Sequence, residues 1–162
     1  MKRPAIPLVF LVCSMALAAC SPTPSAVSTL MQQVTAASQA HDKSALRACF
    51  ATEKVTSDQI DQHLGSWDEY LNKGNDDAQW TYSSITYVSL ADAAHDKDIL
   101  PDTISTAQGT TVGGMKFAPN ITVLGFIKVL FKQPNGMMGG ATEPVGMASD
   151  GTAKIALEEP QH

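Results

Sequence analysis

Apolar and polar positions divide the chain into three regimes. Ala5 to Ala19 form an uncharged, mostly apolar stretch behind the basic pair Lys2 and Arg3. Val27, Leu30, Met31, Val34 and Ala37 then recur at helical spacing, with Ser25 in the position of a cap, which predicts a helix from about Ala26 to Ala40. Asp42 caps a second, shorter helix through Phe50. Thr56 and Gln59 have the spacing of a capping box, and Ile60, Leu64, Trp67 and Leu71 share one face of a third helix that ends near Lys73, with Gly74 as its stop signal. From Gln79 the pattern turns to β-branched and aromatic residues, and Trp80, Tyr82, Ile85, Thr86, Tyr87 and Val88 mark a strand. Thr110 to Phe117 and Ile121 to Lys132 flank the turn Ala118-Pro119-Asn120, and Pro134-Asn135-Gly136 closes the second run. Thr142 to Met147 and Ala153 to Leu157 flank Ser149-Asp150-Gly151, a hairpin signal. Helices followed by a meander predict an α+β domain, with N-terminal helices packed on one face of a curved, mainly antiparallel sheet.

The first apolar stretch is 15 residues long, shorter than the ~20 a spanning helix needs, and Pro4 and Pro7 disfavour a straight helix there. A secretory signal peptide with small residues before its cleavage point is the economical reading. Leu17-Ala18-Ala19-Cys20 resembles the lipobox of bacterial lipoproteins. The resemblance implies diacylglyceryl attachment at the Cys20 thiol, cleavage before it, and acylation (palmitate) of the new amino end. Several acyl chains on one residue make a stable anchor without a transmembrane helix. Ser21 stands where such lipoproteins carry an Asp for inner-membrane retention, so the resemblance implies an outer-membrane location facing the periplasm. The chain then divides into a signal peptide (1–19), the lipidated Cys20 with a short linker (20–26), a single α+β domain (27–158) and a tail (159–162).

Composition narrows the partners. Loss of the signal leaves 143 residues, enough for one core. It also removes two of the 11 basic residues, leaving 9 against 16 acidic ones and a net charge of −7. This argues against nucleic acid or an anionic membrane surface, both of which require basic patches. Cys13 leaves with the signal and Cys20 is taken by lipid, so Cys49 stands alone and no intrachain disulfide forms. Leu46, Cys49 and Phe50 share a helical face, which makes Cys49 a small buried hydrophobe.

The order of elements resembles the NTF2-like (cystatin-like cone) superfamily across about Val27 to Leu157. The resemblance is carried by the helix hinge Ala40-His41-Asp42-Lys43-Ser44-Ala45-Leu46 and by the closing hairpin from Gly146 to Ile155. Members often carry Trp before the Lys-Ile pair of the last strand, where this chain has Ala153. The family build implies a pocket enclosed between helices and bent sheet, and Trp67, Tyr70, Trp80 and Tyr82 are candidates to line it. Core packing is the alternative role for each of them.

Catalytic and metal signals are sparse. Ala40-His41-Asp42-Lys43 recurs as Ala94-His95-Asp96-Lys97. Adjacent His and Asp point apart, however, and cap or loop roles explain them without a metal. His63 lies near Asp61 and Tyr70 on the third helix, where a His with a carboxylate has general acid and base chemistry. Gly109 to Lys116 lacks the Lys-Ser/Thr ending of a phosphate loop, and Gly113-Gly114 suit a bulge or tight turn. Asn120-Ile121-Thr122 matches a glycosylation sequon, which a bacterial signal makes irrelevant. No catalytic set, cofactor or metal site is therefore predicted. The expected role is a non-enzymatic binding module, anchored to the membrane through Cys20, for another envelope component or a small apolar ligand. Three alternatives stand beside it: a pocket enzyme using His63 or a sheet carboxylate, a copper handler using thioethers in or beside Gly-rich segments such as Met137 and Met138, and an immunity lipoprotein against a cell-wall-targeted toxin.

Overall fold

The computed structural model describes residues 23–71, 79–96, 111–112, 115–118 and 120–158. The signal peptide, Cys20, the Lys73-Gly74 helix end and most of Gly109 to Gly114 lie outside the described residues. The elements in chain order are α1 (Ser25–Ala40), α2 (Lys43–Arg47), α3 (Ser57–Gly65), α4 (Asp68–Leu71), β1 (Thr81–Ser89), α5 (Leu90–Ala93), β2 (Thr111–Val112), β3 (Met115–Lys116), β4 (Thr122–Lys132), β5 (Met138–Met147) and β6 (Ala153–Ile155). The fold is α+β. β1, β4, β5 and β6 form one antiparallel sheet in that order, and β2 pairs with β3 separately. Among the described residues no helix is long and apolar enough to cross a membrane.

Local signals act where they were expected. The Asp42 carboxylate accepts from the Ala45 amide (2.9 Å) at the start of α2. Thr56 and Gln59 form both halves of a capping box on α3. Gly136 and Gly151 take the positive φ values (88° and 82°) that their turns require. Ser25 is not a cap: Pro24 occupies that position without a side-chain bond, and Ser25 is already helical. Proline suits a helix start because it has no N–H to leave unpaired.

Several elements differ from the pattern-based expectation: α2 ends at Arg47, short of Phe50, and the run Thr110 to Phe117 holds the separate pair β2 and β3. The third helix breaks after Gly65, where the Ser66 hydroxyl donates to the His63 carbonyl (2.7 Å) and the chain restarts as α4. Gly and Ser are both weak helix formers. A helix, α5, follows β1, capped by Ser89, whose hydroxyl accepts from the Asp92 amide. β5 begins at Met138 instead of Thr142, because residues 138–141 pair with Val129–Lys132 despite the poor strand propensity of Gly139 and Gly140.

The core lies between the helices and one sheet face. Val27, Leu30 and Val34 of α1, Leu46 of α2, and Ile60 and Leu64 of α3 pack with Ile127, Val129 and Phe131 of β4 and Val145 of β5. Phe126 alternates to the other face and joins a second cluster with Phe117, Ile121 and Val123. The segment after α2 is fastened to the outer side of β6. The Ile155 amide donates to the Cys49 carbonyl and the Ala51 amide to the Ile155 carbonyl, both at 2.8 Å. Leu46, Cys49 and Phe50 are all buried, as their shared face implies.

Phe131 organises the end of this core. Tyr70 stacks on its ring (centroids 4.7 Å apart, planes 10° apart), and Trp67 and Tyr82 meet it edge-on. Across the ladder stands Gly139, where a Cβ would lie 2.8 Å from the Trp80 ring, so glycine lets Trp80 and Tyr70 lie directly on the strand. Phe131→Ala is expected to cost about 3–5 kcal/mol. The loss should appear as a lower urea midpoint at unchanged denaturant dependence, and an unaltered midpoint would contradict this packing.

Candidate functional site

One ionisable residue lies where the sheet alternation calls for an apolar one. In β5, Ala141, Glu143 and Val145 point to the helices, and Glu143 sits opposite Ile127 with only 3% of its surface exposed. A carboxylate there is costly unless donors meet it. Its Oε1 accepts from the Trp67 indole N–H at 3.0 Å, and His63 Nε2 lies 3.0 Å from Oε1 and 2.8 Å from Oε2. The carboxylate holds the imidazole proton on Nε2, and the Phe50 ring meets the imidazole edge-on at 5.6 Å. His63 and Trp67 are one turn apart, so the break after Gly65 leaves both aimed at one strand residue.

The expected partners of His63 are engaged elsewhere. Asp61 receives Arg47 (Nε to Oδ1, 2.9 Å), which also reaches the Ser57 hydroxyl at 2.5 Å. The Tyr70 hydroxyl accepts from the Gly140 amide at 3.1 Å. No motif marks Glu143, but it stands two residues before Val145 in a predicted strand, hence on the same face.

The aromatic candidates are packing groups. Trp67 and Trp80 are buried, Tyr70 lies between Phe131 and Trp80, and Tyr82 contacts Phe131 while its hydroxyl pairs with Thr35 at 3.0 Å. Their rings pack between helices and sheet, and they line none of the three clefts described next. The two His-Asp tetrapeptides serve as boundaries. His41 ends α1 in the left-handed conformation, Asp42 caps α2, and Asp96 pairs with Lys128 at 3.5 Å. Among the described residues no group of three His, Cys, Asp or Glu is placed to hold a metal. Met137 and Met138 are exposed at the β4–β5 turn.

Among the described residues, three clefts lie on the outside of the helical layer. A polar cleft of about 410 Å³ runs between α2 and the β5–β6 hairpin and includes Ser44, Arg47, Thr52, Asp150, Thr152 and Lys154. A cleft of about 570 Å³ between α1 and α2 is walled largely by alanines and shares Ala48 and Lys154 with the first. A third, of about 490 Å³, follows α1 past Met31 to Ile85. All fall within the range of small-molecule sites. The Cys49 thiol borders the second cleft; burial pushes its pKa up despite the nearby Lys154 charge, so it is a poor nucleophile. Compared with known protein families, curated proteins and solved structures, the chain has no match.

Two expectations follow for the Glu143 cluster. Hydrogen bonding to Glu143 raises the His63 pKa above its ordinary 6.5, against the opposing effect of burial. The stabilisation is therefore complete below pH 6.5 and is lost as pH rises through the raised folded value. His63→Gln should remove this part of the decline in stability above neutrality, and a parallel pair of pH curves would contradict the assignment. Glu143→Leu should cost at least the ~1–3 kcal/mol of an unpaired buried indole N–H. Glu143→Gln, which keeps an acceptor for Trp67, should cost less, as read from the two thermal midpoints.

Proposed function

We propose that this chain is a bacterial lipoprotein, anchored through Cys20 to the outer membrane and facing the periplasm, whose domain works by binding an envelope component or a small ligand. The anchor rests on the lipobox-like Leu17-Ala18-Ala19-Cys20 behind a basic start and a short apolar core. An NTF2-like build is the finer reading of the α+β domain, supported by two features: helices packed on one face of a four-stranded antiparallel sheet, and a closing β5–β6 hairpin.

The observation that carries the binding reading is the engagement of the best acid-base candidate. His63 faces Glu143, and both carboxylate oxygens are already occupied by the imidazole and the Trp67 indole. That arrangement joins helix to sheet. Two of the three clefts flank Lys154 and the third follows α1 to Ile85, and none of them is lined by His63 or Glu143. Neutral, acidic and basic side chains all line the polar cleft, as recognition of a polar group requires.

The anchor and the binding role are tested separately. Cys20→Ser should move the protein from the membrane to the soluble fraction or stall its processing, and unchanged membrane attachment would refute the anchor. Native mass spectrometry of the protein, gently extracted from its own membranes without chelators, should show mass beyond the acyl groups. A few hundred daltons indicates a small ligand and a second polypeptide an envelope partner, whereas a bare acylated chain counts against stable binding.

A further inference from the structure

Lys154 stands between two cavities of different character. Its ammonium donates to the Ala48 carbonyl at 2.8 Å, where α2 ends, so one of its three N–H groups is used there. On one side lies the 410 Å³ cleft with the hydroxyls of Ser44, Thr52 and Thr152. On the other lies the 570 Å³ cleft, whose walls are mainly the methyl groups of α1 and α2, with Gln33 and Asp42 as its uncharged and acidic polar members. Of the charged groups around Lys154, Arg47 is paired with Asp61 and also reaches Ser57. Asp42 and Asp150 accept from neutral donors, the Ala45 amide and the amide and hydroxyl of Thr152 (2.9 and 2.7 Å), and Asp150 also faces the Lys154 charge. Glu53 lines the polar cleft as well. Lys154 is thus the cation with donor capacity to spare, placed where an apolar wall meets a hydroxyl-lined one.

We propose that these paired clefts bind a single-chain anionic amphiphile, its alkyl tail between α1 and α2 and its acid group at Lys154. The apolar cleft removes hydrocarbon from water without requiring directional contacts. The ammonium and neighbouring hydroxyls give the acid group charge-assisted hydrogen bonds. A fatty-acid carboxylate has this chemistry. The proposal specifies the ligand class within the binding reading and does not depend on the anchor.

The test uses the full chain carrying Cys20→Ser, so that no attached acyl chain competes, titrated with dodecanoate below its micelle concentration and, as an uncharged control, with dodecanol. Dodecanoate should bind one to one. Lys154→Met should weaken it roughly tenfold or more while leaving dodecanol unaffected, and Lys154→Arg should retain most of the affinity. Ala40→Phe, at an exposed position on the apolar wall, should abolish binding of both. If Lys154→Met does not fold, as judged by circular dichroism, Ala40→Phe and the comparison of acid with alcohol still decide. Absence of dodecanoate binding, or binding indifferent to both positions, overturns the proposal. A different bound mass in the native spectrum would overturn it too, while leaving the binding reading intact.

Discussion

A carboxylate on the buried face of a sheet must find hydrogen-bond donors or give up its charge, and Glu143 finds two. The Trp67 indole and the His63 imidazole converge on it from α3 and the short link beyond, across 76 and 80 residues of sequence. That convergence ties the helical layer to β5. His63 and Trp67 are one turn apart, and across the break after Gly65 both donors stay on a single strand residue. An apolar residue at 143 would pack, but it would set neither the rotation nor the register of α3.

The aromatic end of the core follows from the same docking. Once Trp67 is placed by its indole, its ring meets Phe131, and Tyr70 one turn later stacks on that ring's face. Gly139 makes the close approach feasible, because Trp80 and Tyr70 occupy the volume a side chain would need. The glycines that weaken β5 as an isolated strand are therefore what allow it to be covered. Among the described residues, rings pack between helices and sheet, and the three clefts lie at the outer margin. There the alanines of α1 and α2 leave room, and β6 contributes Lys154.

The fastening of residues 49–51 to β6 connects the two regions. It turns the end of α2 toward the sheet and buries Cys49 and Phe50. The Phe50 ring lies against His63 on one side and borders the polar cleft on the other. The buried cluster and the outer clefts thus share a wall, although none of the three clefts reaches Glu143.

The sequence by itself determined the α+β class, the two helix caps at Asp42 and Thr56, the glycine turns at 136 and 151, and the burial of Leu46, Cys49 and Phe50. Each depends on residues within a few positions of one another, where side-chain reach and backbone preference are short-range properties. Tertiary structure decided the break in the third helix, the early start of β5, the α5 turn after β1, the partner of His63 and the role of the four large aromatics. Each of these depends on which strand position faces which helix. Glu143 marks the boundary between the two kinds of information: its inward direction was legible from the alternation with Val145, but its donors were not. Register and helix docking bring His63 and Trp67 to it, and both are settled by packing across the whole chain.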